Sequence, residues 1–383
     1  MRPIVVLGAT GSIGRQTLEV AKHIGAPVAG LAARRPSPEF AHLVSRYPDA
    51  VVAVAEGGQH EMREFLGAIP QGAGFGTEAV VELSKAPGRI VVNGIVGSAG
   101  LAASLATLEA GNRLALANKE SMVAAGELVR RAVDAAGGEL IPVDSEHSAL
   151  FQCLDGEHID DVKRLILTAS GGPFRGRRRH DLAAVSPEDA LNHPTWDMGG
   201  RITVDSATLV NKGMEVIEAH HLFGIDFGRI DVVVHPQSIV HSAVEFVDGA
   251  LKAHVGHPDM RIPIQYSLTY PRRGPAPGEP FDLARVGLEF ESVDRAAFPA
   301  LDLAYDVGKR GGSAPAVFNA ADEIAVKSFL EGRIPFLAIT DVVEATVDKV
   351  PWIPVTTLAD VMAVDGEARA VASEQVKRLP IKP

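Results

Sequence analysis

The sequence has little cysteine: Cys153 is the one cysteine in 383 residues. A single thiol forms no internal disulfide and no cysteine-based zinc cluster, and this points to a reducing compartment. Cys153 lies in the apolar run 149–154, where an inert, buried thiol is expected in place of a nucleophile. Positive charge is also short. Lys and Arg total 37 against 48 Asp and Glu, a formal net charge of -11. That balance argues against a nucleic-acid partner, and any anionic ligand would need a local basic pocket. No apolar run reaches the roughly 18 residues needed to span a membrane, so no membrane partner is expected. No signal-peptide pattern precedes the first strand, and no strict repeat is visible. The expectation is a cytoplasmic protein.

What is present suits an ordinary globular chain: 46% hydrophobic and 22% charged residues, with length for two or three domains. Ile4-Val5-Val6-Leu7 is a continuous apolar run, as a buried parallel strand requires. Gly8-Ala9-Thr10-Gly11-Ser12-Ile13-Gly14 follows, and a helical stretch covers 13–24. Strand, glycine turn and helix form the context in which backbone amides hold a pyrophosphate, although the spacing is GxxGxxG and not GxGxxG. Further strands are expected at 26–33, 50–55, 89–93, 113–116 and 139–143, with helices such as 99–110 and 121–136 between them. That alternation predicts an α/β fold class, a doubly wound parallel sheet. Where an acidic residue would select NAD, the second strand ends in Ala33-Arg34-Arg35. Two guanidiniums suit the 2′-phosphate of NADP, or they are solvated loop arginines. Asn118-Lys119-Glu120 follows the 113–116 strand, as ligand-edge residues or as a helix start capped by Asn118.

The stretch Asp144-Ser145-Glu146-His147 comes next. On extended backbone, Asp144 and Glu146 would point the same way, and Glu215 is a third hard oxygen donor suited to Mg²⁺ or Mn²⁺. The alternative is that Asp144 and Ser145 cap a helix starting at Glu146. A strand at 164–169 runs into Ser170-Gly171-Gly172-Pro173, an anion nest or a simple turn. Residues 192–200, with Trp196 between flanking Pro and Gly, look like a mobile lid or a loop anchored by its tryptophan. A helix over 209–223 would put Asn211 and Glu215 on one strip, with Lys212 three residues before Glu215. Strands at 230–234, 239–247 and 250–255, the last two joined by Asp248-Gly249, make this region α+β with a sheet edge able to support a dimer. His235 and His241 read as packed strand histidines. The 270–280 stretch looks like a linker, and 315–330, 335–349 and 357–376 read as helices.

Taken together, the ordered motifs carry a resemblance. The glycine turn, Asn118-Lys119-Glu120, the 144–147 stretch, Ser170 to Phe174, His193-Pro194-x-Trp196-x-Met198-Gly199, Asp205 to Glu215 and His235 to Ser242 follow one another as in the 1-deoxy-D-xylulose 5-phosphate reductoisomerase family. Nearly the whole chain resembles that family. The implied organisation is an NADPH-binding Rossmann-like domain over 1–143 and a central α+β catalytic domain over 144–269 with a lid at about 170–200. A linker over 270–295 and a C-terminal helical bundle over 296–383 complete it. The implied reaction is NADPH- and metal-dependent rearrangement and reduction of the ketose phosphate to 2-C-methyl-D-erythritol 4-phosphate, in isoprenoid precursor synthesis.

The same resemblance implies the site. The divalent ion would lie on Asp144, Glu146 and Glu215, which with Lys119 and His193 form the catalytic set. Substrate would meet Lys119, Ser145, Glu146, Ser170, His193, Trp196, Ser206, Asn211, Lys212 and Glu215. NADPH would lie on Thr10, Gly11, Ser12, Ile13, Ala33, Arg34, Arg35, Asn118, Glu120 and Gly199. His241 would lie near the site, and the chain would be a homodimer. Four positions depart from the family's usual residues: Ala9 for serine, Arg35 for asparagine, Gly200 for a basic residue and Asp322 for asparagine. Two other readings remain. One is a semialdehyde dehydrogenase, which would need Cys153 as nucleophile. The other is a non-enzymatic NADP-binding module.

Overall fold

The computed structural model describes residues 1–196 and 198–379. Asp197 of the expected lid and residues 380–383 of the expected bundle lie outside the described residues. The chain forms two compact units: 1–121, 128–148 and 259–280 make the first, and 122–127, 149–258 and 281–383 the second.

In the first unit, β1 (Ile4–Leu7), β2 (Val28–Ala33), β3 (Val51–Val54), β4 (Gly74–Phe75), β5 (Ile90–Asn93), β6 (Arg113–Leu116) and β7 (Glu139–Pro142) form one sheet. Its order is β4-β3-β2-β1-β5-β6-β7, and every pairing is parallel. β1, β5 and β6 are buried along their whole length, which explains their largely apolar runs, interrupted only by Asn93 and Arg113. The order reverses between β1 and β5, and there the carboxyl ends open the crevice where such sheets bind ligands. The short β4 is an edge addition that the sequence pattern did not disclose. Helix Ser12–Ile24 follows β1 and ends at Gly25, whose φ of 68° supplies a left-handed cap. Helix Arg261–Thr269 returns from later in the chain to pack on it.

The second unit holds a mixed sheet of β8 (Val162–Ala169), β9 (Ile230–Val234), β10 (Val240–Phe246), β11 (Leu251–Val255) and β12 (Glu291–Ser292), in the order β11-β10-β8-β9-β12. β10 runs antiparallel to β8 and β11, and β8 runs parallel to β9. Asp248 and Gly249 make the expected turn, Gly249 having a φ of 89°. The expected helix over 209–223 is preceded by a second one. Gly200–Thr208 and Val210–Phe223 meet at Leu209, which has a φ of 63°. The C-terminal helices are Ala300–Arg310, Ala314–Leu330, Ala338–Lys349 and Leu358–Arg378. The first of them was not anticipated.

Candidate active site

In the first unit, β7 ends at Pro142 and a helix, Ser145–Leu154, begins almost at once. Asp144 starts it: its backbone carbonyl accepts the Ser148 N–H at 2.8 Å and its Oδ1 accepts the Ser145 N–H at 3.0 Å. This corrects the picture of Asp144 and Glu146 as alternate residues of an extended strand. Glu146 lies in the first helical turn and accepts the Ser145 hydroxyl at 2.6 Å. Lys119 forms an ion pair with Asp144, and both side chains are largely buried. His147 is fully buried, its Nδ1 3.9 Å from the same carboxylate. A shielded carboxylate is costly without a cation, so positive charge at Asp144 is a requirement of its burial.

Asn118 caps the helix Lys119–Ala136, its Oδ1 accepting the Ser121 N–H at 3.2 Å. Its amide also reaches the carbonyls of Ile95 and Gly97, at 2.7 and 2.8 Å. Glu120 accepts the Gly97 N–H at 2.9 Å. Asn118 and Glu120 thus fasten the loop after β5, beside the point where the sheet order reverses.

The glycine turn fits a dinucleotide. A Cβ on Gly8 would lie 2.7 Å from the Gly94 carbonyl oxygen, and one on Gly14 would overlap the Gly8 carbonyl and Ala9. Thr10 and Gly11 bring the backbone into Ser12–Ile24, and no side chain caps that helix's first turn. Its leading N–H groups suit a pyrophosphate. Ile13 packs against the position a Gly94 side chain would take. Ala33 ends β2, buried, and the exposed Arg34 and Arg35 follow. Both guanidiniums bond through Nε to one carboxylate, Glu56, at 2.7 and 2.8 Å. The Arg34 bond, then that of Arg35, holds Glu56 below the usual carboxylate range. Glu56 was not singled out in the sequence; its position just after β3, beside the end of β2, was the available signal.

In the second unit, Ser170 follows β8 and leads into Gly171 and Gly172, with φ of 84° and 66°. The nest is packed closely: a Cβ on Gly172 would lie 2.7 Å from the Ser206 carbonyl oxygen. Ser170 Oγ accepts the Gly172 N–H at 3.2 Å and lies 3.0 Å from His193 Nε2. His193 Nδ1 accepts the N–H groups of Thr195 and Trp196, at 3.1 and 3.0 Å. The imidazole proton is therefore on Nε2 and donated to Ser170. With both lone pairs of Ser170 Oγ engaged, its own proton remains for an acceptor. Burial pushes the His193 pKa down, which keeps the ring neutral. Trp196 is half-buried, and Gly199 precedes the Gly200–Thr208 helix, accepting the Thr203 N–H at 3.1 Å.

The next helix carries a second cluster. Glu215 is 1% exposed and accepts the Asn211 amide at 2.6 Å. Lys212 pairs with its other oxygen. A buried carboxylate already facing an ammonium is a hard, anionic donor of the kind Mg²⁺ takes. His241 Nε2 donates to the His257 carbonyl at 3.2 Å, and burial pushes its pKa down to about 4. Cys153 is buried and its thiol is pushed up to about 11 by that burial, an inert cysteine.

The 1-deoxy-D-xylulose 5-phosphate reductoisomerase model matches residues 4–126. Models of that enzyme's C-terminal domain match 140–223, and of the DXP reductoisomerase C-terminal domain 255–371. The chain belongs to the 1-deoxy-D-xylulose 5-phosphate reductoisomerase family. The Geobacillus kaustophilus enzyme of that name is 47% identical, over 97% of this chain and 98% of that one. The Thermus thermophilus enzyme is also 47% identical, over 99% and 100%. The solved Zymomonas mobilis enzyme, in complex with NADPH, superposes with a TM-score of 0.91 at 42% identity, covering 99% of this chain and 100% of that one. A DOX-P reductoisomerase in complex with NADPH, fosmidomycin and magnesium gives 0.91 at 34%, covering 98% of each. These matches bear out the resemblance carried by the motifs.

Proposed function

We infer that this chain is an NADP-dependent oxidoreductase that rearranges and reduces 1-deoxy-D-xylulose 5-phosphate to 2-C-methyl-D-erythritol 4-phosphate, in isoprenoid precursor synthesis. Family membership supports the reaction. Within the fold, the observation that carries it is the buried Glu215 holding Asn211 and Lys212 in one helical turn. A surface helix with a stray salt bridge would not bury that carboxylate.

Asp144, Glu146 and Glu215 are the proposed oxygen ligands of Mg²⁺ or Mn²⁺, and the glycine turn with Arg34 and Arg35 is the proposed seat of NADPH. When bound, the cation supplies Lewis acidity at the ketose oxygens and NADPH supplies the hydride. The chain's own residues do the rest. Lys119 brings positive charge to the reacting oxygens. Ser170, through its remaining proton, binds phosphate with Ser206, Asn211 and Lys212, while His193 fixes the serine. Ser145 and Trp196 complete the substrate contacts, and closure of the lid excludes water from the aldehyde. No helix among the described residues is long and apolar enough to cross a membrane. We place the enzyme in the cytoplasm as a homodimer, with the exposed edge strand β11 as the candidate surface.

The test follows NADPH absorbance with 1-deoxy-D-xylulose 5-phosphate, with Mg²⁺ or Mn²⁺ and again with EDTA. Metal-dependent oxidation that fosmidomycin suppresses is expected. No oxidation by a folded protein that still binds NADPH would overturn the reading.

A further inference from the structure

The second unit contains a buried charge cluster that the reaction does not use. Arg201, near the start of the Gly200–Thr208 helix, reaches toward Ala314–Leu330. It lies 3.0 Å from Asn319 Oδ1, 3.3 Å from Asp322 Oδ2, 3.0 Å from Glu323 Oε1 and, on its own helix, 3.5 Å from Asp205 Oδ2. Glu323 also takes Arg369 of Leu358–Arg378 at 2.7 Å, and Arg369 pairs with Asp365 at 2.6 Å. Asp322 is 0% exposed, and its Oδ1 has no hydrogen-bond partner among the described residues. Yet the Asp322 carboxyl lies within hydrogen-bond reach of Asp205.

Two carboxylates cannot bond to one another unless one of them carries a proton. The charge count agrees. The groups facing the pair are Arg201 on the same helix as Asp205, and Glu323 beside Asp322, with Arg369 and Asp365 behind Glu323. Among these described pairs, Arg201 and Arg369 face the carboxyls of Asp205, Asp322, Glu323 and Asp365, and one proton relieves the excess. The location gives the cluster a task. Arg201 and Asp205 lie on the helix whose last turn carries Ser206, and that turn packs on Gly172 of the Ser170 nest.

We propose that Asp205 and Asp322 share one proton, and that this pair, with Arg201, is a positioning device that fixes the Gly200–Thr208 helix and so sets Ser206 against the Ser170 nest. The proposal rests on the reading of Ser170 and Ser206 as substrate contacts. Arg201 and Asp322 are positioning residues; they act through the helix. Burial pushes the Asp322 carboxyl up to about 6, against the attraction of Arg201. A raised carboxyl pKa means that the folded state binds the proton more tightly than the unfolded chain. The shared hydrogen bond is therefore complete at acid pH and lost as pH rises through about 6.

The test compares wild type with Asp322→Asn, whose amide carries hydrogens at every pH, and with Asp322→Ala. The KM for 1-deoxy-D-xylulose 5-phosphate, the Kd for NADPH and the melting temperature are each measured from about pH 5 to about pH 8. Substrate titration cancels in the ratio of KM values. Wild type and Asp322→Asn are expected to agree at low pH, with the wild-type KM rising several-fold above that of Asp322→Asn at high pH. Asp322→Ala raises KM at every pH. NADPH affinity changes less than KM across the three proteins, since Gly199 alone of the proposed NADPH contacts adjoins this helix. A constant wild-type to Asp322→Asn ratio would overturn the shared proton, and an unchanged KM in Asp322→Ala would overturn the positioning role. If wild type shows no turnover, the functional reading fails by itself. The melting temperatures then decide the proton: the wild type must lose stability relative to Asp322→Asn as pH rises, and a gap independent of pH rejects it.

Discussion

His193 donates its Nε2 proton to Ser170 Oγ, 3.0 Å away, because its Nδ1 is occupied by the N–H groups of Thr195 and Trp196. One ring thus ties the turn after β8 to the Thr195–Trp196 backbone. Replacing His193 by Ala is expected to raise the KM for the sugar phosphate by about 10- to 100-fold, the worth of a hydrogen bond to a charged group. Steady-state kinetics alongside an NADPH titration checks this. Weakened NADPH binding, with KM unchanged, would show that the histidine serves the cofactor.

Glu215→Gln keeps the shape of the side chain and removes its charge. Turnover should fall at least about 10²-fold, because a cation loses an anionic ligand and Lys212 loses its partner. Titrating Mg²⁺ against initial rate separates this from misfolding. The variant should need more metal while its NADPH affinity stays near that of wild type. Near-normal turnover at the Mg²⁺ concentration that suffices for wild type would remove Glu215 from the metal set.

The Arg34 and Arg35 guanidiniums share Glu56 through their Nε atoms, so their terminal nitrogens remain for a phosphate. Changing both arginines to Ala should weaken NADPH by about 10- to 100-fold and leave NADH nearly unaffected, since NADH lacks the 2′-phosphate. Fluorescence titration with the two nucleotides makes the comparison. Equal losses for both would mean that the arginines do not read the 2′-phosphate.

Cys153 has its thiol pushed up to about 11 by burial, so almost none is thiolate at neutral pH. Cys153→Ala should keep full turnover, and the native thiol should react with a disulfide reagent only as the protein unfolds. Loss of turnover would revive a cysteine nucleophile.

Much of this was legible in the sequence because period and composition report local burial. β1, β5 and β6 are shielded on both faces, so Ile4 to Leu7, Ile90 to Asn93 and Arg113 to Leu116 show as largely apolar runs. β4 and β12 span two residues each, too few to carry a period. The helix Gly200–Thr208 escaped notice because Gly199 and Gly200 resemble a loop, and because its end at Leu209 is marked by neither glycine nor proline. Arg201 and Asp205 pair as i, i+4 residues of that helix, a relation that was not read while the helix itself went unrecognised. Their partners Asp322 and Glu323 lie more than a hundred residues away, and that pairing exists only after folding.

Leu209 holds a left-handed backbone, with a φ of 63°, that costs a bulky residue roughly 1–2 kcal/mol. On one unbroken helix, Ser206 and Asn211 would be five residues apart and turned about 140° from each other around the axis. The joint at Leu209 frees the two segments to take independent directions. A chain selected for stability alone would replace it with a straight rod and lose that angle. The strain at this residue thus holds a permanent elbow between two neighbouring stretches of sequence, Gly200–Thr208 with Ser206 and Val210–Phe223 with Asn211.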